Sequence, residues 1–269
     1  MFQRSIFACA IATSVVFLSM PGISEAQIAG ANGCSALPTH GTLKAALDKA
    51  TAEEKSGLNN HMWATIVDRD GVVCAVAFSG SDRAAQWPAS RVISAQKAST
   101  ASSLGLDSTS NSAGSGQPNG LALSTANLYS AVQPGGSLFG LQASNPVNAA
   151  IAYAGPYASY GTAKDPMAGN RVGGINVFGG GLGLYAAGKR MVGGIGVSGD
   201  TSCADHNIAW RVRAHLGFDH LMGVGGVSGD KARPDNIIFD IANAVSKGGF
   251  GHPQCLNTGD AAMLPAVKE

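Results

Sequence analysis

The chain has 269 residues, a formal net charge of +1 and only 13% charged residues, and it contains no basic run. This low and nearly neutral charge gives no basis for electrostatic binding to nucleic acid or to a membrane surface. A small molecule or another protein is therefore the expected partner. A chain of this length can bury one large core or two modest ones.

The N-terminal residues 1–26 have the pattern of a secretory signal peptide. Arg4 precedes an uncharged apolar run, and Ser24 and Ala26 are the small residues that a signal peptidase accommodates. A membrane anchor is the alternative, but the run is shorter than the roughly 20 residues that a spanning helix needs. We therefore predict cleavage after Ala26, a periplasmic or secreted protein, and no stable membrane insertion after cleavage.

Four cysteines remain in the predicted mature chain: Cys34, Cys74, Cys203 and Cys255. An even number in an oxidising compartment favours two disulfides, and four cysteines allow three connectivities. We favour Cys34–Cys255, which would tie the two tails together, with Cys74–Cys203, although the sequence leaves the other pairings open. A metal site built from the thiols is the alternative, but none of them belongs to a C-x-x-C pair.

The first third of the mature chain predicts a helix, a hairpin and a second helix. Apolar residues recur at helical spacing over residues 42–58. Two β-rich runs, residues 62–67 and 72–78, flank a glycine-containing turn and indicate a β-hairpin. Pro88 suits the first turn of a helix that extends to about Leu104.

Residues 105–172 predict an insert without regular structure. Residues 107–120 contain no large apolar side chain, and the apolar residues that follow show no clean period. A loop of this length inside a compact domain is either functional or mobile.

Regular structure is expected to return at residues 173–178. Two short strands around a turn at residues 188–189 follow, and then a helix over residues 204–216. Residues 223–230 echo the glycine pattern of residues 192–200, which predicts a second strand, turn and helix; two similar glycine-rich turns are the alternative.

Gly194, Gly196 and Gly199 satisfy the G-x-G-x-x-G pattern of dinucleotide-binding sites, and Asp219 lies about 20 residues further on. We reject that interpretation because the glycines alternate with Ile and Val inside a predicted strand, whereas the fingerprint follows the strand and opens the helix. The chain has no G-x-S-x-G and no H-E-x-x-H, so hydrolase chemistry of those kinds is not supported.

Four segments together resemble the haem-binding GlcG/HbpS family, and they occur in the order of its helix, hairpin, helix, strand and helix. They are V-D-R-D-G at residues 67–71, K-A-S-T-A at 97–101, G-G-I at 173–175, and V-G-G-I-G-V-S-G at 192–199 with Asp205 behind it. The chain departs from the family pattern at Asn176, where the family often has Pro, and in its long insert and C-terminal extension.

The resemblance implies an α/β (α+β) fold in which an antiparallel β-sheet is flanked by helices, the profilin-like architecture of that family. It implies a single domain over residues 27–269, with the insert at 105–172 and an extension over 218–269. It also implies a homo-oligomer that binds haem or a similar planar molecule.

Haem requires an apolar slot, one or two axial ligands to its iron, and cations near its propionates. His40 and His206, each near the start of a predicted helix, are the expected axial ligands, and Lys97 and Arg171 the expected propionate partners. The expected function is an exported protein that stores, scavenges or senses haem. The alternatives are an enzyme acting on a small molecule, haem degradation included, with the insert as a lid, and an accessory protein of a corrinoid or redox system.

Overall fold

The computed structural model describes residues 33–107 and 119–269. The predicted signal peptide lies outside these residues. Among the described helices, none is long and apolar enough to cross a membrane.

The described residues form a central antiparallel sheet with helices on both faces. The helices are α1 (His40–Glu53), α2 (Ser90–Leu104), α3 (Ala149–Ala152) and α4 (Ser202–Leu216), and the strands are β1 (Trp63–Asp68), β2 (Val73–Phe78), β3 (Gly181–Ala186), β4 (Arg190–Ser198), β5 (Ile241–Ala242) and β6 (Val245–Ser246). The order in the main sheet is β2-β1-β4-β3, whereas β5 and β6 form a separate pair. All pairings between these six strands are antiparallel, which confirms the predicted fold class and the hairpin.

The two faces of the sheet belong to two different cores. Along β1, Ala64 and Ile66 pack into the core that contains Leu43 of α1 and Ile208 of α4. The alternate residue Trp63 packs with α2 on the opposite face. This alternation is the period of two that a strand covered on both sides requires.

The glycines of β4 allow α2 to lie very close to the sheet. A Cβ atom at Gly196 would lie 2.0 Å from the carbonyl oxygen of Ser94, and one at Gly194 would lie 2.3 Å from that of Ala98. No side chain fits at such distances, so glycine is required at both positions. The G-x-G pattern is therefore a feature of helix-on-strand packing.

Helix α1 begins and ends earlier than predicted. The hydroxyl of Thr39 accepts a hydrogen bond from the backbone N–H of Thr42 and caps the helix. Helix α1 ends at Glu53, because Glu54 adopts an extended conformation.

The strand predicted at residues 173–178 is wrong. Gly173 and Gly174 have φ values of +67° and +84°, which a strand cannot contain, and the backbone N–H of Asn176 donates to the hydroxyl of Thr100 instead of to a strand. Strand β3 therefore begins only at Gly181.

The second strand and helix predicted from the echo at residues 223–230 do not form. Gly223 and Gly229 have φ values of +81° and +78°. The described extension beyond α4 contains only β5, β6 and a short 3-10 turn at Ala261–Met263. The two copies of the echo therefore differ in structure, because residues 192–198 lie in β4 whereas residues 223–230 form a glycine-rich loop.

Two disulfides form, as expected, but the favoured connectivity is wrong. Cys34 pairs with Cys74, and Cys203 pairs with Cys255. The chain after Gly33 lies against the sheet, where the backbone N–H of that glycine donates to Asp68. Cys34, near the start of the described chain, is therefore bonded to β2, and Cys255, near its end, is bonded to α4. The two ends of the chain are not joined to each other by a disulfide.

Candidate functional site

A glycine turn at residues 179–181 lies between α2 and the first turn of α4. A Cβ atom at Gly179 would lie 2.1 Å from the carbonyl oxygen of Ser202, and one at Gly180 would lie 2.3 Å from that of Val197. Gly180 also has a φ of +115°, which side chains rarely allow. The chain thus passes in backbone contact over the first turn of α4.

Lys97 of α2 and Asp205 of α4 form a buried ion pair beside this turn. Their Nζ and Oδ2 atoms are 2.6 Å apart, and the two side chains are 0% and 1% exposed. The other carboxylate oxygen accepts hydrogen bonds from the backbone N–H groups of Gly199 and Asp200. The ring of Phe178 lies 4.8 Å from Nζ. The pair therefore fastens α2 to the start of α4.

Burial governs the protonation of both partners. Burial raises the pKa of Asp205 to about 6, against the opposing effect of the Lys97 ammonium, and lowers the pKa of Lys97. With its pKa near 6, Asp205 is still mostly ionised at neutral pH.

His206 is the residue next to Asp205, and its side chain is fully buried. Its Nε2 lies 3.2 Å from both Oδ1 of Asn236 and the backbone nitrogen of Ile237. Its Nδ1 has no hydrogen-bond partner among the described residues. Burial lowers the pKa of His206 to about 4, so the imidazole is neutral at physiological pH and has the lone pair that a metal ligand needs.

The insert and the extension together cover this site. The hydroxyl of Thr125 accepts from the backbone N–H of Gly181 and donates to the carbonyl oxygen of Phe178. Asn127, also in the insert, donates from Nδ2 to the carbonyl oxygen of Asn236 in the extension at 2.9 Å. We call residues 124–128 and 235–237 the cover.

Buried ion pairs fasten both additions to helices of the sheet domain. Arg91 of α2 is 2.5 Å from Asp165 of the insert, and Arg213 of α4 is 2.5 Å from Asp235 of the extension. All four side chains are at most 2% exposed. Separating these charges in a buried place is costly, so the insert is held to α2 at Asp165 and the extension is held to α4 at Asp235.

A second cluster lies at the first turn of α4. The disulfide of Cys203 and Cys255 brings the extension to the helix. His252 lies beside it, with Nε2 3.1 Å from the hydroxyl of Ser202 and its ring 5.1 Å from that of Tyr129. Burial lowers the pKa of His252 to about 4.

The structure brings together two of the four predicted site residues. Lys97 and His206 both flank the glycine turn at residues 179–181. His40, half-buried, has its Nε2 2.9 Å from the carbonyl oxygen of Gly161, and the exposed Arg171 donates to the carbonyl oxygen of Asp70. These two contact other segments, so the roles of all four toward haem stay predictions.

Three of the open cavities among the described residues are lined by none of those four side chains. One of about 410 Å³ lies between Asp48 and His61, and one of about 430 Å³ lies within the glycine-rich loop that contains Asp230. The third, of about 380 Å³, is lined by Asn236 and Ile237, which contact His206 from the other side. Asn236 and Ile237 therefore lie between His206 and this third cavity.

Four further residues of the site are not predictable from the sequence: Thr125, Asn127, Asn236 and His252. Each lies in an irregular segment, where no period marks a buried face, and each contacts residues that are distant in the chain. The only indication in the sequence is a polar residue within an apolar, glycine-rich segment. Such a residue does not show which distant residue it contacts.

The family model described as haem degrading protein HbpS-like matches residues 39–214. A search of curated protein sequences found no match.

Three solved structures are similar to this chain at low identity. The Klebsiella pneumoniae protein ORFY is 24% identical, with a TM-score of 0.42 over 76% of this chain and 97% of that chain. A PduOC:haem complex is 20% identical, with a TM-score of 0.41 over 65% of this chain and 89% of that chain. A double mutant of Streptomyces reticuli HbpS is 16% identical, with a TM-score of 0.37 over 78% of this chain and 99% of that chain.

Proposed function

This chain belongs to the haem degrading protein HbpS-like family, and on that premise we propose that it binds haem, with His206 as an axial ligand to the iron. The observation that supports this role is the buried, neutral imidazole of His206, whose Nε2 accepts a hydrogen bond from the backbone N–H of Ile237 and therefore carries the lone pair that an iron ligand needs. Haem would supply a redox-active iron centre, and neutral imidazole is a common protein ligand for that iron.

His206 suits the iron chemically, but the described conformation leaves no open slot beside it. Asn236 and Ile237 lie against its Nε2. Only the two contacts of 3.2 Å hold that nitrogen, so a movement of residues 236 and 237 away from α4 would free it. We therefore propose that haem enters by displacing this part of the cover.

The other three predicted site residues can contact haem only under further conditions. These residues are Lys97, Arg171 and His40. Lys97 is engaged by Asp205, and a contact with a propionate would require this ion pair to open. Arg171 is exposed and can meet a propionate only if haem extends to the β1–β2 turn. His40 is proposed as a second ligand only for an arrangement in which α1 also lines the slot.

We also propose that the protein acts outside the cytoplasm, as a homo-oligomer that stores, scavenges or senses haem. The two disulfides support an oxidising location, because such bonds persist in exported proteins. The N-terminal apolar run agrees with this location.

The experiment is a titration of the mature protein with haemin, followed by the Soret absorption band. We expect saturation at one haemin per chain, and a His206→Ala variant that binds about tenfold or more weakly with a shifted band. His215→Ala is the matched control, because His215 is an exposed histidine on the same helix. Equal spectra and affinities for the two variants would refute the assignment of His206.

A further inference from the structure

The second cluster at the first turn of α4 contains a set of metal-ligating side chains that the proposed haem function does not use. Ligand atoms of Cys203, His252 and Cys255 all lie within 4.8 Å of one another. Cys203 and His252 are buried, and Cys255 is half-buried. Two sulfurs and an imidazole nitrogen at this spacing are the donor set of protein zinc sites.

We propose that reduction of the Cys203–Cys255 disulfide converts this cluster into a binding site for a thiophilic divalent cation such as Zn²⁺. Cys203, Cys255 and His252 would be the protein ligands. Thiolate and imidazole donors favour zinc over magnesium or calcium, which prefer oxygen. The inference is independent of haem.

The imidazole of His252 is already held in the orientation that such a ligand needs. Its Nδ1 lies 2.7 Å from the carbonyl oxygen of Pro253, to which it donates in the tautomer that leaves the lone pair on Nε2. Metal-binding histidines commonly donate their other ring nitrogen to a carbonyl or carboxylate in this way. The Nε2 atom is thereby directed to the side of Ser202 and Cys255.

Ser202 supplies a fourth donor atom at the same place. Its hydroxyl oxygen lies 3.1 Å from Nε2 of His252 and 3.6 Å from Sγ of Cys255. Two sulfurs, one nitrogen and one oxygen would complete four-coordination, with a water molecule able to replace the hydroxyl.

The chain also provides stabilisation for negative charge on the sulfur of Cys255. The backbone N–H of Cys203, at the first turn of the 15-residue helix α4, donates to this sulfur at 3.2 Å. Because this donor belongs to the backbone of α4, we expect it to keep its place when the S–S bond breaks. Both the hydrogen bond and the helix N-terminus favour an anionic sulfur.

The conversion is a two-electron step. A dithiol reductant gives two electrons and two protons to the disulfide, the S–S bond breaks, both cysteines become thiols, and the reductant becomes a disulfide. Zinc then replaces the two thiol protons, which leave to solvent. Attack takes place at Cys255, because this residue is half-buried whereas Cys203 is buried.

The other disulfide provides an internal comparison. Cys34 and Cys74 lie near Asp68, with no histidine in the group. The carboxylate of Asp68 already accepts hydrogen bonds from the backbone N–H groups of Gly33, Asp70 and Val72. The third group near this pair is therefore a carboxylate that three backbone donors already engage, whereas the Cys203–Cys255 pair has an imidazole beside it.

The test uses the mature chain in a Cys34→Ser/Cys74→Ser background, so that only one pair can be reduced. Zn²⁺ is titrated by calorimetry into the oxidised protein and into protein reduced with a phosphine, and Co²⁺ serves as the spectroscopic substitute. We expect one Zn²⁺ per reduced chain, none per oxidised chain, and cobalt bands typical of tetrahedral thiolate coordination. The His252→Ala variant should bind at least about tenfold more weakly, whereas His215→Ala should bind as the parent does.

Three results would overturn the proposal: no stoichiometric Zn²⁺ in the reduced protein, equal binding by the oxidised protein, or equal binding by His252→Ala. If the reduced chain unfolds, near-ultraviolet circular dichroism measures whether added zinc restores its tertiary structure. Zinc that restores the spectrum in the parent and fails to do so in His252→Ala supports the site, because binding is then coupled to folding. Zinc that does not restore it in the parent contradicts the site.

Discussion

Replacing Lys97 by Met removes one charge of the ion pair that joins α2 to α4. The methionine side chain fills most of the same volume, so the main effect is to leave Asp205 buried without a cation. Removing one partner of a buried pair typically costs about 3–5 kcal/mol. Asp205 keeps two backbone N–H donors and can take up a proton, so we expect the lower end of that range, about 3 kcal/mol in the free energy of unfolding.

Urea unfolding at pH 8 and at pH 5 measures this cost. Loss of the ammonium raises the pKa of Asp205 further above about 6, so the folded variant takes up a proton as the pH falls. The destabilisation by Lys97→Met should therefore be larger at pH 8 than at pH 5, and Asp205→Asn should recover part of it in the double variant. Lys49→Met is the control, because Lys49 is 62% exposed and should lose under about 0.5 kcal/mol. A cost below about 1 kcal/mol that is the same at both pH values would refute this role of the pair.

Three further predictions concern stability. Because burial lowers the pKa of His206 from 6.5 to about 4, protonation opposes folding, and the wild type should lose up to about 3 kcal/mol relative to His206→Gln between about pH 6.5 and pH 4, as measured by urea unfolding. Gly196→Ala should destabilise by about 1–3 kcal/mol, because its Cβ would lie 2.0 Å from the carbonyl oxygen of Ser94, and thermal unfolding checks this. Cys203→Ser/Cys255→Ser should lose about 4 kcal/mol in denaturant unfolding, the loop-entropy value for a sequence separation of 52.

Each of these predictions has an outcome that contradicts it. An imidazole resonance of His206 that titrates near 6.5 would show that the side chain is not desolvated. Gly41→Ala is the control for Gly196→Ala, because a Cβ at Gly41 meets nothing within 4 Å and favours the helix; equal effects at the two positions would contradict the packing argument. Full stability of the cysteine double variant would mean that the disulfide does not constrain the unfolded chain.

The periodic elements of the fold were predictable from the sequence. Helix α2, the β1–β2 hairpin and helix α4 follow from apolar spacing and turn residues, since their buried faces repeat at regular intervals. The strand expected at residues 173–178 does not form, because two of its glycines have positive φ. The sequence pattern alone does not distinguish such glycines from glycines inside a strand. The disulfide pairing failed because it depends on tertiary proximity, which spacing does not encode.

The candidate site was predictable only in part. The family resemblance identified Lys97 and His206, which the structure brings to the same glycine turn. It did not indicate that Lys97 pairs with Asp205, or that Asn236 lies over His206. These contacts join segments that are far apart in the chain, and the insert and extension that supply the cover carry no periodic pattern.

The most direct test of the central claim, that this chain binds haem through His206, is imidazole rescue of a His206→Gly variant. We expect the wild type to form a haem complex with the Soret band of histidine ligation, His206→Gly to lose that band, and added imidazole to restore it. A haem complex of His206→Gly with the wild-type spectrum in the absence of imidazole would contradict the claim.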